Sequence, residues 1–232
     1  MEEKQTWMDK FGTVVTMAGT AILMNLMFLV ACLPIVTIGP AWCGLLSSIR
    51  YNIRGEGWFA GFKAGFCTRF WRSLICWCIG LPMCLYFFSD LNYGLLLLRD
   101  QGLSVESVTG TLIPGLFFVM AAMLTNALLV LNVYIPTPVS NWLKNGVNFF
   151  RHPLGLFVSA ALFWLPLIIA LLWDMMIFVH IIMIFVAVYF TLAGVGSTIM
   201  MKDDLIEFLL EARQNGTLTA EEGSKAAAAE EA

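Results

Sequence analysis

The chain has 232 residues, 59% of them hydrophobic and only 12% charged, about half the charged fraction of an ordinary soluble domain. Its 13 Lys and Arg against 16 Asp and Glu give a formal net charge of -3, and nucleic acid is not an expected partner. The apolar residues come in blocks of roughly 18 to 25, the length that crosses hydrocarbon, so a soluble globular domain is excluded and an all-α, polytopic integral membrane protein is expected.

The first ten residues are polar with both charge signs, and no small-residue cleavage site follows the first apolar run; no cleavable signal peptide is expected. The first span is predicted over 14–33. It runs into Leu33-Pro34-Ile35-Val36-Thr37-Ile38-Gly39-Pro40. Two prolines and a glycine in so apolar a stretch cannot be a plain helix interior. They predict a shaped turn or broken helix, with Pro34, Thr37, Gly39 and Pro40 as its structural residues, surrounded by protein or by a water-filled cavity. A turn this apolar is expected to be tucked into the bundle. The next run, 41–53, is short for a span and can extend through Ile35–Ile38 if the Gly39-Pro40 kink is tolerated.

A first basic loop follows, with Arg50, Arg54, Lys63, Arg69 and Arg72. Within it Trp58, Phe59, Phe62 and Phe66 share one helical face, and Gly57, Gly61 and Gly65 recur every fourth residue on an adjacent face, a spacing that lets another helix approach closely. This segment reads as an interfacial helix lying on lipid, as a docking helix for a partner protein, or as a basic patch for anionic head groups. The candidate partner-binding residues are Arg54, Trp58, Phe59, Phe62, Lys63 and Phe66, joined by Lys144 and Arg151 from a second basic loop. Lys63-Ala64-Gly65-Phe66 aligns with Lys144-Asn145-Gly146-Val147, a weak hairpin repeat of the kind many membrane folds contain.

The remaining spans are predicted over 71–88, 112–135, 154–173 and 175–200. The segment 89–111 carries Asp90, Asp100 and Glu106 against one Arg99. Placing the two basic loops, the N-terminus and the region after 200 in the cytoplasm leaves only Arg99 outside, as the positive-inside rule expects. The expected architecture is therefore a transmembrane bundle of about six helices in three hairpins, both termini cytoplasmic; five helices with a re-entrant second segment is the alternative. Trp42, Trp58, Trp71, Trp142 and Trp173 fall near span ends, where amphipathic rings prefer to sit, while Trp77 and Trp164 lie deeper and are expected to face other helices. After Asp203-Asp204 an amphipathic helix is predicted. Residues 1–215 form one membrane domain, and the Ala/Glu-rich tail 216–232 is expected to be disordered.

Ionisable or amide groups inside spans are the remaining candidates. Asn25, Asn126 and His180 are the intramembrane polar residues of interest, with Asn132 beside them; interhelical hydrogen bonding is the plain reading. Pro82, Pro114 and Pro166 interrupt spans, which is common in membrane helices. The six cysteines form no CxxC pair and read as free thiols. Walker A, HExxH and GxSxG motifs are absent, so neither an enzyme, a metal site nor a cofactor is expected.

Cys32 through Pro40, then Arg50, Arg54-Gly55-Glu56, Phe62-Lys63 and Phe70-Trp71, resemble the signature of the YesL-like family, domain of unknown function 624. Leu143-Lys144-Asn145 and Arg151-His152-Pro153 are similar to its second shared block. The resemblance runs from about Phe11 to Leu210 and departs in the glycine-rich stretch 57–65, where family members more often carry charged and bulky residues. It implies a multi-pass plasma-membrane protein of mainly Gram-positive bacteria, encoded near carbohydrate-uptake ABC transporters and glycan-degradation genes. It supplies no catalytic or binding residues. The function expected is a non-enzymatic accessory or scaffold subunit associated with carbohydrate ABC transport, with permease subunits or a second copy as partners in the bilayer. The alternative is an autonomous transporter or channel for a small neutral solute, lined by Asn25, Asn126 and His180.

Overall fold

The computed structural model describes residues 7–134, 142, 146–147, 153–172, 189–199 and 206. All regular structure among them is helical. Helix α1 spans Trp7–Ala31 and closes with the Cys32 amide donating to the Phe28 carbonyl at 2.9 Å. It cannot continue, because the ring of Pro34 disfavours helical geometry at the residue before it. A single 3-10 turn, Ile35–Thr37, reverses the chain. The Thr37 hydroxyl lies within donating distance of the Ala31 carbonyl at 2.5 Å and the Pro34 carbonyl at 2.7 Å, carbonyls that a helix end leaves open.

Helix α2, Ile38–Ile53, starts at once. Pro40 falls in its first turn, where no backbone N–H is required, so the proline begins the helix instead of kinking it. The short segment 41–53 is thus part of one continuous helix. Every residue from Gly39 to Ile49 is buried, and α2 is the central element. The turn before it divides: Gly39 and Pro40 are buried, whereas Leu33, Pro34, Ile35 and Val36 are exposed, against the expectation of a turn tucked wholly into the bundle. Only the part continuous with α2 is held inside.

Two glycines with positive φ, Gly55 (73°) and Gly57 (90°), turn the chain into α3, Trp58–Cys67. This helix runs antiparallel to α2. A Cβ at Gly61 would stand 2.8 Å from the Ser47 carbonyl, and one at Gly65 would stand 2.5 Å from the Cys43 carbonyl. The glycine ridge is therefore the surface against which another helix closes, and that helix is α2 of the same chain. The Ser48 hydroxyl adds a 2.6 Å bond to the Trp58 carbonyl.

Arg69, in the left-handed region at φ 60°, breaks the chain between α3 and α4. Helices α4, Phe70–Gln101, and α5, Val105–Tyr134, form a long antiparallel hairpin. Gly80 faces Thr125, and Gly94 faces the backbone of Gly110 and Thr111. The turn rests on Gly102 (φ 70°) and on a reciprocal box in which the Ser107 amide donates to Ser104 Oγ (3.1 Å) and the Ser104 amide to Ser107 Oγ (3.0 Å); this is capping-box geometry. The acidic segment 89–111 is therefore mostly helix, and the two spans around it are longer than their apolar cores. Both helices run through their prolines, Pro82 and Pro114.

These two are long and apolar enough to cross a membrane by length and composition; the described parts of α1 and α6 are shorter apolar helices. Helix α6 spans Pro153–Leu172, and residues 189–199 are helical. Both pack on α2: Phe163 of α6 lies 4.7 Å, centroid to centroid, from Trp42, and Gly194 meets Ile49, Leu46 and Leu45. Trp42 is fully buried, not at a membrane interface as its place near a span end suggested, because α2 begins inside the bundle. The amphipathic segment after Asp204, most of the span 175–200, the turn at Trp173 and the tail lie outside the described residues.

Candidate functional site

Three groups of residues could carry function. The first is the basic end, where α2, α3 and α4 meet the last turn of α5. Arg50 places its guanidinium 5.2 Å from the Tyr134 ring centroid, and Arg69 Nη1 donates to the Asn132 carbonyl at 3.2 Å. A helix C-terminus carries partial negative charge and unpaired carbonyls, so both arginines hold the end of α5. Arg54 closes α2, its amide bonded to the Arg50 carbonyl at 3.3 Å.

The aromatic residues of α3 do not all face the same way. Phe62 is buried over Gly44 and stacks on Phe66 at 5.9 Å. Phe66 continues to Phe70 at 5.4 Å, and Phe70 to Trp71 at 5.9 Å. Trp58 is half-buried, edge-on to Phe59. Only Phe59 and Lys63 of the α3 candidates are exposed, joined by Trp71, which is 71% exposed. The face committed to α2 includes Phe62, which therefore cannot meet an outside partner.

In the second basic loop Trp142 is buried and donates from Nε1 to the Leu128 carbonyl at 3.0 Å; it too is a core residue rather than an interfacial one. Gly146 is packed against Leu128. The aligned glycines thus do the same thing: Gly65 seats on the helix preceding its loop, α2, and Gly146 on the helix preceding its own, α5. Lys144, Arg151 and His180 lie outside the described residues.

The second group is a polar chain linking α2, α4 and α5. Asn132 Nδ2 donates to Ser73 Oγ at 2.6 Å; Ser73 Oγ is 3.3 Å from Cys43 Sγ; and Cys43 Sγ donates to the Leu129 carbonyl at 3.4 Å. One direction of donation satisfies the whole chain, from amide to hydroxyl to thiol to carbonyl. Cys76 similarly reaches the Thr125 carbonyl at 3.7 Å. All six cysteines are free, with Cys67 and Cys78 exposed. Among the described residues no group of three His, Cys, Asp or Glu could hold a metal.

The third group is the aromatic centre. Trp42 lies 4.7 Å from Phe163 and 6.2 Å from Phe28. Trp77 stacks on Trp164 at 5.4 Å, as the depth of both residues in their spans suggested. Trp77 also donates from Nε1 to the Ile35 carbonyl at 2.8 Å, and its Cβ blocks any side chain at Gly39; this pair fastens the turn to α4. Asn25 and Asn126, two of the sequence candidates, flank this centre. Asn126 Nδ2 donates to Ser159 Oγ at 2.8 Å. Among the described residues, neither amide atom of the fully buried Asn25 has a hydrogen-bond partner. Sequence reasoning passed over Ser73 and Phe163, for which hydropathy carries no signal, and placed Trp42 at a span end rather than in this centre.

No curated protein and no solved structure matches the chain. Residues 21–91 match the family described as "Protein of unknown function, DUF624". That segment contains the turn at Pro34–Pro40, the whole of α2 and α3, the arginines at the basic end and the first two thirds of α4, and it is shorter than the extent over which the resemblance was read. Through this segment, which builds the centre of the fold, the chain is similar to the DUF624 family, consistent with the resemblance to the YesL-like family.

Proposed function

We propose that the chain is a multi-pass plasma-membrane protein, with about six spans in three hairpins and both ends cytoplasmic, that acts by association: a non-enzymatic accessory or scaffold subunit for a carbohydrate ABC permease. The observation that carries association is the burial of α2 from Gly39 to Ile49. Helix α2 turns no face outward from Gly39 to Ile49, whereas the basic end turns Phe59, Lys63 and Trp71 outward. Those three, with Lys144 and Arg151 of the second loop, are the contact residues; Phe62 and Phe66 shape the surface from behind. The direction toward a carbohydrate permease rests on the family resemblance. Co-purification in mild detergent from native membranes at native expression is the test. Recovery of permease subunits, lost in Phe59→Ala/Lys63→Ala, is expected; recovery of the protein alone removes the proposal.

The unpaired Asn25 amide favours a second reading, an autonomous carrier for a small neutral solute using Asn25, Asn126 and His180. Flux of candidate sugars into liposomes containing only this protein, above that of empty vesicles, would support it. Flux equal to that of empty vesicles would reject it for those sugars.

A further inference from the structure

We propose that the outward face of the basic end, formed by Phe59 and Lys63 of α3 and Trp71 of α4, binds an anionic phospholipid of the leaflet that adjoins it. The site rests on the reading of α4 as a membrane-crossing helix, and it does not require the permease.

The packing of α3 decides which of its residues remain outside. Gly61 and Gly65 close on α2, and Phe62 is buried over Gly44, so that face is committed. Phe59, Lys63 and Cys67 are exposed, and residues four apart share one helix face. Trp71 joins this end through a ladder of rings: Phe66, in the last turn of α3, lies 5.4 Å from Phe70, and Phe70 lies 5.9 Å from Trp71. Two large rings thus stand open to the surroundings, Phe59 at 55% and Trp71 at 71% exposure. Lys63 makes no ion pair among the described residues.

The charge here has one sign. Arg50, Arg54, Lys63, Arg69 and Arg72 stand against Glu56, and from Gly57 to Arg72 there is no acid. The far end of α4 has the reverse balance, with Asp90, Asp100 and Glu106 against Arg99. A crossing helix that starts at Phe70 sets Trp71 at the level of the headgroups, where an indole ring prefers to sit. A lysine stem lies along apolar surface while its ammonium reaches out to a charged group, and basic clusters beside a span attract anionic lipid. A free phosphate would answer Lys63 and leave both rings in water. A phospholipid answers both, its phosphate meeting the ammonium and its acyl chains the rings.

Native mass spectrometry of the full-length protein in detergent, with phosphatidylglycerol and phosphatidylcholine of the same acyl chains, tests the site. Retention in membranes through carbonate washing is checked first; release would remove the membrane reading, and the proposal with it. Preferential retention of phosphatidylglycerol is expected. It should weaken about fivefold in Lys63→Ala, the contribution of one basic side chain beside an anionic surface, and stay unchanged in Arg99→Ala at the far end. Equal retention of the two lipids by the wild-type protein overturns the proposal, and that result needs no variant to fold. Equal weakening by Lys63→Ala and Arg99→Ala overturns it as well, since the lipid would then have no fixed place. Lipid is measured on the protein alone, so the lipid site and the permease reading can fail separately.

Discussion

A single methyl group is enough to probe the contact between α2 and α3. At Gly65 it would stand 2.5 Å from both the Cys43 carbonyl and Ser47 Cβ, and 3.0 Å from Gly44 Cα. None of these is the far end of a flexible side chain, so the helices must part. Gly65→Ala is expected to lower stability by about 1–3 kcal/mol, read as a lower melting temperature of the detergent-purified protein. Gly19 supplies the control, since a methyl there meets nothing within 4 Å. Gly19→Ala should leave stability unchanged or raise it by about 0.5–1 kcal/mol. Equal effects at the two positions would show that glycine acts through helix propensity rather than through the α2–α3 approach. Ser73 tests the polar chain in the same way. Ser73→Ala removes the link between Asn132 and Cys43, and the expected loss is about 0.6 kcal/mol, with an upper bound near ~2 kcal/mol.

Between α3 and α4 a whole element depends on one backbone conformation. Arg69 holds φ at 60°, a region that costs a side-chain-bearing residue about 1–2 kcal/mol and glycine almost nothing. Its guanidinium offsets this by donating to the Asn132 carbonyl. Arg69→Ala keeps the strain and loses the bond; Arg69→Gly loses the bond and relieves the strain. The glycine variant should therefore melt higher than the alanine variant, by about 1 kcal/mol in stability. The reverse order would mean that the turn is not strained. The residues of this junction were visible in the sequence as a basic loop, but its conformation was not, because arginine gives no signal for positive φ. The α4–α5 hairpin shows the opposite case. Hydropathy stops at Phe88, where Ser89 and Asp90 follow, yet backbone hydrogen bonding is indifferent to hydropathy and the helix runs to Gln101. Gly102 and the Ser104–Ser107 box did carry the true end of the helix in the sequence; charge patterning drew attention away from them.

At the scale of the molecule, the all-helical class was legible in the apolar blocks. The position of α2 was not, because a run of eleven buried residues reads like any lipid-facing run until its neighbours are known. The glycine spacing announced a close helix approach without naming the helix approached, since shape complementarity is a property of two surfaces and only one was on view. The proposed orientation can be tested on the same fold. Helix α4, with 32 residues, is about 48 Å long, against a hydrocarbon core of about 30 Å, so in the proposed bundle one end or both leave the bilayer. Arg69 and Arg72 mark one end; Arg99, Asp100 and Glu106 mark the other. With the basic end inside, exposed Cys67 at the end of α3 should react with a membrane-impermeant maleimide in inverted vesicles and not in intact protoplasts. Leu103, 90% exposed at the hairpin turn, should behave oppositely when tested as Leu103→Cys in a Cys67→Ser background. Cys78 is also exposed, but it lies on the first half of α4 and faces hydrocarbon in this orientation, which a charged, water-soluble reagent does not enter; it should stay unlabelled from both sides. Labelling of Cys67 from outside, or of Leu103→Cys from inside, would invert the bundle and move the Phe59, Lys63 and Trp71 surface away from any cytoplasmic partner.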